Sequence, residues 1–453
     1  MKRKARCIRR NKCWWVSKLM AGALLLSISS MLTAQEPARD FRTVDSLSVK
    51  YYLSGEWDSL ITLGKGSGYD YYWLNFRMGY AWYAQGKYTR ALQQFKKTLR
   101  NNAADPLTLE YYNYAALAMG FNEQALAAAG EFRPQAPERI AANPPYPLTG
   151  VGAGYLSSSA AQSLTSANLD QDPNIYGESA LPGSGNFYFG YHSFPLLPRL
   201  LLTPGVSYLK TTNPFRAFTA DTLLFSSENP YQEKNIHVSI SWVPSLSWTI
   251  QSYFRLSGMK YDLKQVTYNP SSGQYGLSTI HQKNTDRAGG ISLTKYCGDF
   301  SLKADATWHS EYDSAFSQVG LNVNWYILSD TRLIMGAGVF AGLGQRDKRT
   351  AWIQRVSFSP LKNLWLTGTL TLGHIAHKSF DDAWIIYNAD SQISRITTLN
   401  VFMLLGSRLS ASLQWSNLRC KGYGLYFQPT LEPALQDMSY QKNTVSLSVF
   451  WKW

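Results

Sequence analysis

The final stretch of the chain sets Val445, Leu447, Val449, Trp451 and Trp453 on one parity and Thr444, Ser446, Ser448, Phe450 and Lys452 on the other. A side-chain period of two belongs to an extended strand, here with an apolar face and a mostly polar one. The same dyad recurs in Val319, Leu321, Val323, Trp325 and Ile327 against Gly320, Asn322 and Asn324, and in Leu409, Ala411, Leu413 and Trp415 against Ser410, Ser412 and Gln414. One such strand would suit a soluble sheet with a wetted face equally well. Fourteen together are more restrictive: candidates start near residues 149, 185, 200, 234, 247, 279, 299, 315, 331, 350, 363, 393, 408 and 442. Short joints at 195–199, 244–246, 297–299, 329–330, 360–362 and 406–407 alternate with longer polar ones such as 159–184, 212–233, 264–278, 378–392 and 421–441. That asymmetry predicts a barrel with turns at one end and loops at the other, closed by an even strand number so that first and last strands pair antiparallel. Segment 383–389 (Ala-Trp-Ile-Ile-Tyr-Asn-Ala) leaves room for one more strand, so the count stays open between about 12 and 16.

Composition points the same way. Aromatic residues make up 14% of the chain and charged residues 16%, against about 25% charged in ordinary soluble domains. Past the N-terminal segment no apolar run reaches the roughly 18 residues of a membrane helix. A barrel that turns an apolar face to lipid and a polar face inward has this composition, with Trp242, Trp308, Trp325 and Trp352 as candidates for its aromatic girdles. The expected fold class is therefore N-terminal α-helical repeats followed by an antiparallel transmembrane β-barrel of about 14 strands over residues 148–453.

The first 34 residues hold eight basic side chains and no acidic one, then an apolar run from Leu19 to Leu26 and a small-residue exit at Ala34. This reads as a cleaved secretory signal peptide over 1–34, the apolar run being shorter than the roughly 20 residues a spanning helix needs. Removing those eight residues lowers the formal charge from +14 to +6, a modest excess that calls for no nucleic-acid partner. Cys7 and Cys13 leave with the peptide, and Cys297 and Cys420 are too sparse for a disulfide framework or a metal site. An alternating strand that ends on an aromatic resembles the C-terminal recognition strand of bacterial outer-membrane proteins, with Trp453 where phenylalanine is usual. The resemblance implies a Gram-negative outer membrane as the location, its lipid and the barrel-assembly machinery as partners, and Val449, Trp451 and Trp453 as the assembly signal.

Over residues 40–135 the period becomes helical. Gly79, Trp82, Gly86, Tyr88, Ala91 and Phe95 have the spacing of small, aromatic and turn positions in a tetratricopeptide repeat, and Ala81, Gly86 and Ala91 recur 34 residues later as Ala115, Gly120 and Ala125. A shorter copy shows in Ser54–Trp57 against Gln85–Tyr88. The segment resembles the tetratricopeptide family over about two and a half units; a generic amphipathic bundle is the alternative reading. The resemblance implies a periplasmic docking domain, with Tyr71, Tyr72, Tyr111, Tyr112 and Tyr114 as docking candidates or, equally, inter-helix packing. Five prolines between Pro134 and Pro147 mark a stiff linker over 136–147.

No constellation for catalysis stands out, so neither an enzyme nor a cofactor is expected. His374 and His377, three apart, would point to opposite faces of a strand, Gly64–Gly68 lacks phosphate-loop spacing, and no Gly-x-Ser-x-Gly elbow is present. The polar faces nominate His237, Arg255, Lys303, Asp305, His309 and Arg355 as channel-lining residues, a set in which cations outnumber acids. The order of signal peptide, repeats and barrel resembles the surface-lipoprotein assembly modulators and the exopolysaccharide exporters. This implies export or surface display of a periplasmic protein or polysaccharide cargo; the alternative is a passive porin or uptake channel for small polar or anionic solutes.

Overall fold

The computed structural model describes residues 40–132, 149–161, 176–180, 183–219, 222–269, 271–311, 314–343, 350–375, 378–383, 385–386, 392–427 and 434–452. The signal peptide, the proline-rich linker and Trp453 lie outside the described residues. Six helices come first: α1 (Phe41–Ser54), α2 (Trp57–Gly66), α3 (Tyr72–Ala84), α4 (Tyr88–Asn101), α5 (Pro106–Ala118) and α6 (Asn122–Phe132). Helices α1 and α2 belong to a unit that ends at Tyr69; α3 to α6 belong with the barrel to a second unit, Asp70–Trp453.

Local chemistry sets the helix ends. Asp40 caps α1 through Thr43 N at 3.2 Å, and the helix stops at Gly55, whose φ of 72° lies in the left-handed region. Asp105 caps α5 through Thr108 N at 2.8 Å, with Pro106 in the first turn where its missing N–H costs nothing. Helices α3 and α5 start 34 residues apart, as do α4 and α6. In the α3–α4 hairpin a Cβ on Gly79 would stand 2.6 Å from the Phe95 ring, so only glycine lets the two helices approach this closely.

Fourteen strands close the barrel: β1 (Thr149–Ala161), β3 (Ser184–His192), β5 (Leu200–Thr219), β6 (Thr222–Ser245), β7 (Trp248–Asn269), β8 (Gln274–Cys297), β9 (Phe300–Glu311), β10 (Ser314–Tyr326), β11 (Leu333–Gly342), β12 (Thr350–Leu361), β13 (Leu364–Gly373), β16 (Gln392–Leu404), β17 (Leu409–Phe427) and β18 (Ala434–Lys452). Every neighbouring pair is antiparallel, and β18 returns to β1 with Val449 opposite Ala153. Two short strands stay outside the ring: β4 (Phe194–Leu197) runs along the start of β5, and β2 (Tyr176–Ala180) joins the loop ends of β5 and β17. A further pair, β14 (Ser379–Phe380) and β15 (Ile385–Ile386), forms its own hairpin. Among the described residues, the segment that left the strand count open thus adds no stave to the wall.

The two faces separate as a membrane barrel requires. Ile236, Trp242, Phe254, Trp308, Leu321, Trp325, Trp352, Leu413, Val449 and Trp451 are exposed on the outside, while His237, Ser239, Arg255, Asp286, Thr307, His309 and Gln318 are buried within. Several strands begin earlier than the alternation indicates: β6 at Thr222, β8 at Gln274 and β18 at Ala434. Their extra residues form ribbons beyond the apolar band, where neither face meets lipid and the dyad fades.

Helices α3 to α6 rest on the short turns. Thr89 N donates to Ser329 O at 3.1 Å and Lys87 Nζ to Leu328 O at 3.2 Å. Tyr112 Oη donates to Leu246 O at 2.8 Å, Gln124 Nε2 to Thr249 Oγ1 at 2.5 Å, and Arg199 Nε to Glu131 Oε1 at 2.6 Å. The Phe121 ring lies 4.3 Å from that of Tyr296. At Gly130 a Cβ would stand 2.7 Å from the Cα of Pro198, so α6 meets the β4–β5 turn backbone to backbone. Docking therefore covers the turns from β4–β5 round to β10–β11.

Candidate functional site: a hairpin held inside the lumen

Between β13 and β16 the chain turns inward. Ile375 and Phe380 pack with Phe340, Ala351, Ile393 and Ile396 on the inner wall. Gln318 on β10 grips the hairpin backbone twice, donating from Nε2 to Ser379 O at 2.5 Å and accepting from Ser379 N at 3.0 Å. The tip then reaches Lys303, three residues into β9 from the short-turn end, whose ammonium bonds both Asp382 carboxylate oxygens at 2.7 Å.

Two more strands hold the tip by its carbonyls. His237 Nε2 donates to Asp382 O at 3.1 Å, a contact that fixes the tautomer, and Arg255 Nη1 donates to Ala383 O at 3.0 Å. Arg255 is itself braced by Glu233 at 2.5 Å, Asn235 Oδ1 at 3.0 Å and Ser257 Oγ at 2.9 Å. Asp381, Asp382 and Ala383 all have positive φ, at 51°, 56° and 65°. Three consecutive non-glycine residues in the left-handed region store strain, which the surrounding bonds must offset.

Beside the hairpin lies a cavity of about 620 Å³ that extends toward the short-turn end. Its walls mix hydroxyls and amides, among them Asn322, Asn324, Thr369, Thr398, Asn400 and Gln414, with apolar Ile334, Phe340, Ile353 and Ile396. Its charged members are Lys303, Asp305, Arg355, Asp381 and Asp382. From the helical side Glu123 on α6 comes close enough to feel Lys303 and Asp382. Burial raises its carboxyl above the ordinary range, and Lys303 pulls the other way.

All six nominated lining residues point inward, but they do not form one surface. Lys303, Asp305 and Arg355 meet the cavity; His237 and Arg255 hold the hairpin; His309 is buried higher on β9, its ring 5.3 Å from Phe316. The cationic excess read from the sequence is offset in part: Arg255 and Lys303 pair with Glu233 and Asp382, and Asp286 and Asp381 join Asp305 as acids of the described interior, while Lys378 is a further buried cation.

Among the tyrosines, Tyr112 cannot be a docking residue: it is 1% exposed and committed to the β6–β7 turn. Tyr111 packs among Phe76, Tyr80, Tyr83 and Phe95. Tyr114 bonds Glu110, while Tyr71 and Tyr72 flank the start of α3 half-exposed, and burial with the neighbouring Asp105 pushes the Tyr72 hydroxyl up to about 12. Val449 and Trp451 face outward on β18.

No protein-family model and no curated protein sequence matches the chain. Among solved structures, a FadL homologue of Pseudomonas aeruginosa aligns at 9% identity and a TM-score of 0.43, over 67% of this chain and 90% of its own. The toluene transporter TodX of Pseudomonas putida aligns at 10% and 0.42, over 74% and 93%, and Omp33 of Acinetobacter baumannii at 7% and 0.32, over 68% and 98%. At these values the likenesses say nothing of what this barrel carries.

Proposed function

We propose that the chain is an outer-membrane channel for small polar solutes, with its short-turn end and helices in the periplasm and the β14–β15 hairpin as a resident gate. The observation that carries the reading is the 620 Å³ cavity with hydroxyl, amide and charged groups on its walls, beside a strained hairpin and inside a barrel whose outer face is apolar. A space of that size takes a solute of sugar or amino-acid dimensions. Short turns on the periplasmic side are what an outer-membrane barrel threads most readily, and the contacts of the helices with those turns support the same side for them. The 34-residue offset supports a tetratricopeptide kinship for α3 to α6, and their role in this reading is to narrow the mouth.

Export of a folded or polymeric cargo draws less support. The helices use Tyr112, Gln124 and Glu131 on the barrel itself, and the hairpin occupies the path a polymer would take. The test is flux of arabinose into vesicles holding the purified full chain. Uptake above that of protein-free vesicles is expected; vesicles that stay impermeable while a periplasmic protein or glycan co-purifies with the chain would return the argument to export.

A further inference from the structure

Charge in the cavity is divided between two poles. On the β9 side Asp382 bonds Lys303, Asp305 lies two residues along the same strand and Asp381 precedes Asp382 on the hairpin, so three carboxylates there meet one ammonium. On β12, Arg355 stands exposed to the cavity and makes no ion pair with any described residue. Its register neighbours are Gly336 and Thr369, followed by Asn324 on one side and Thr398 on the other, so the guanidinium rises from a belt of small and neutral polar groups. Glycine at 336 leaves room beside the Arg355 stem, and the next hydroxyl along β12 is that of Ser357, bonded to Thr367 at 2.9 Å.

A planar guanidinium without an acidic partner recognises a carboxylate through two parallel N–H donors. A carboxylate cluster with fewer cations than acids recognises an ammonium. A simple anion would satisfy the first pole and be repelled by the second; a neutral sugar would use neither. We infer that the solute class is zwitterionic, an amino acid or very short peptide, with its carboxylate on Arg355 and its ammonium toward Asp381 and Asp305. This rests on the channel reading above and names the substrate of that same cavity.

The test compares uptake of L-glutamine, glucose and gluconate by vesicles containing the full chain. A glutamine rate about tenfold above that of glucose is expected, the worth of a single charge-assisted bond. In Arg355→Ala and in Asp381→Asn the glutamine-to-glucose ratio should fall toward unity, and Arg355→Lys, which keeps the charge but loses the fork, should fall between. Equal glutamine and glucose rates in the unaltered chain would overturn the assignment while leaving the channel intact, as would gluconate passing fastest or a ratio indifferent to Arg355. No uptake of any of the three would instead reject the channel itself, and the assignment with it. Heat-dependent migration of each variant on gels verifies that its barrel has folded.

Discussion

Replacing Asp382 by Asn removes the charge that Lys303 holds while keeping a side chain that tolerates left-handed backbone. Breaking one partner of a fully buried pair costs about 3–5 kcal/mol. Here the Lys303 side chain is 29% exposed and that of Asp382 16%, so solvent screens part of the interaction and about 2 kcal/mol is the reasonable share. The hairpin meanwhile carries left-handed strain at three positions, about 1 kcal/mol or more for each. What remains against it are the Gln318 bonds, the His237 and Arg255 bonds to carbonyls and the packing of Phe380 on the inner wall. A loss of about 2 kcal/mol shifts the open-to-closed ratio about 30-fold. Single-channel recording in planar bilayers reads that ratio directly, and Lys303→Met should shift it alike. The double variant should shift it little further, because the two residues act through one bond. Open occupancy within twofold of the unaltered chain, or strictly additive effects of the two substitutions, would refute the clamp.

Ala383→Gly should act in the opposite sense, relieving strain at a φ of 65° and lowering open occupancy by about fivefold, equivalent to roughly 1 kcal/mol, in the same recordings. Val449→Arg sets a charge on the lipid face and should cost about 2–4 kcal/mol near the midplane, so its folding yield into lipid should drop while that of Ser448→Arg, on the inner face, stays higher. Gly130→Val should push α6 off Pro198, and protease cleavage of the helices in the folded barrel should rise. Glu123 has its carboxyl raised by burial, so its contribution to helix docking is fully present below its unfolded value of about 4.3 and is lost as pH rises through the folded one. Protease resistance of the helices should therefore decline over that window, and Glu123→Gln should abolish the decline.

The wall of the barrel was legible because lipid on one side and water on the other impose a strict alternation, and each of the fourteen staves contains a stretch that alternation marked, although β6, β8 and β18 begin earlier. The ribbons above β5, β6 and β17 were not, since both of their faces meet polar surroundings and the period carries no information there. Inward direction followed from parity alone for His237, Arg255, Lys303, Asp305, His309 and Arg355. Their partners did not follow: Asp382 lies 79 residues from Lys303 and Glu233 lies 22 from Arg255, and strand alternation says nothing about which loop folds inward. One signal was present. Phe380 and Ala383, apolar residues on either side of two aspartates inside a long polar joint, are the ones the structure buries. Tyr112 misled because a tyrosine at helical spacing looks the same whether it meets a partner, another helix or, as here, a barrel turn.

Uptake of neutral sugars of increasing size, measured for the full chain and for Asp382→Asn in parallel vesicles, tests the gated channel most directly. The hairpin and the 620 Å³ cavity predict that the unaltered chain passes pentoses and hexoses slowly and excludes a tetrasaccharide, and that Asp382→Asn speeds the small sugars and extends passage to larger ones. Vesicles impermeable to pentoses with either chain, although both are folded and inserted, would contradict it.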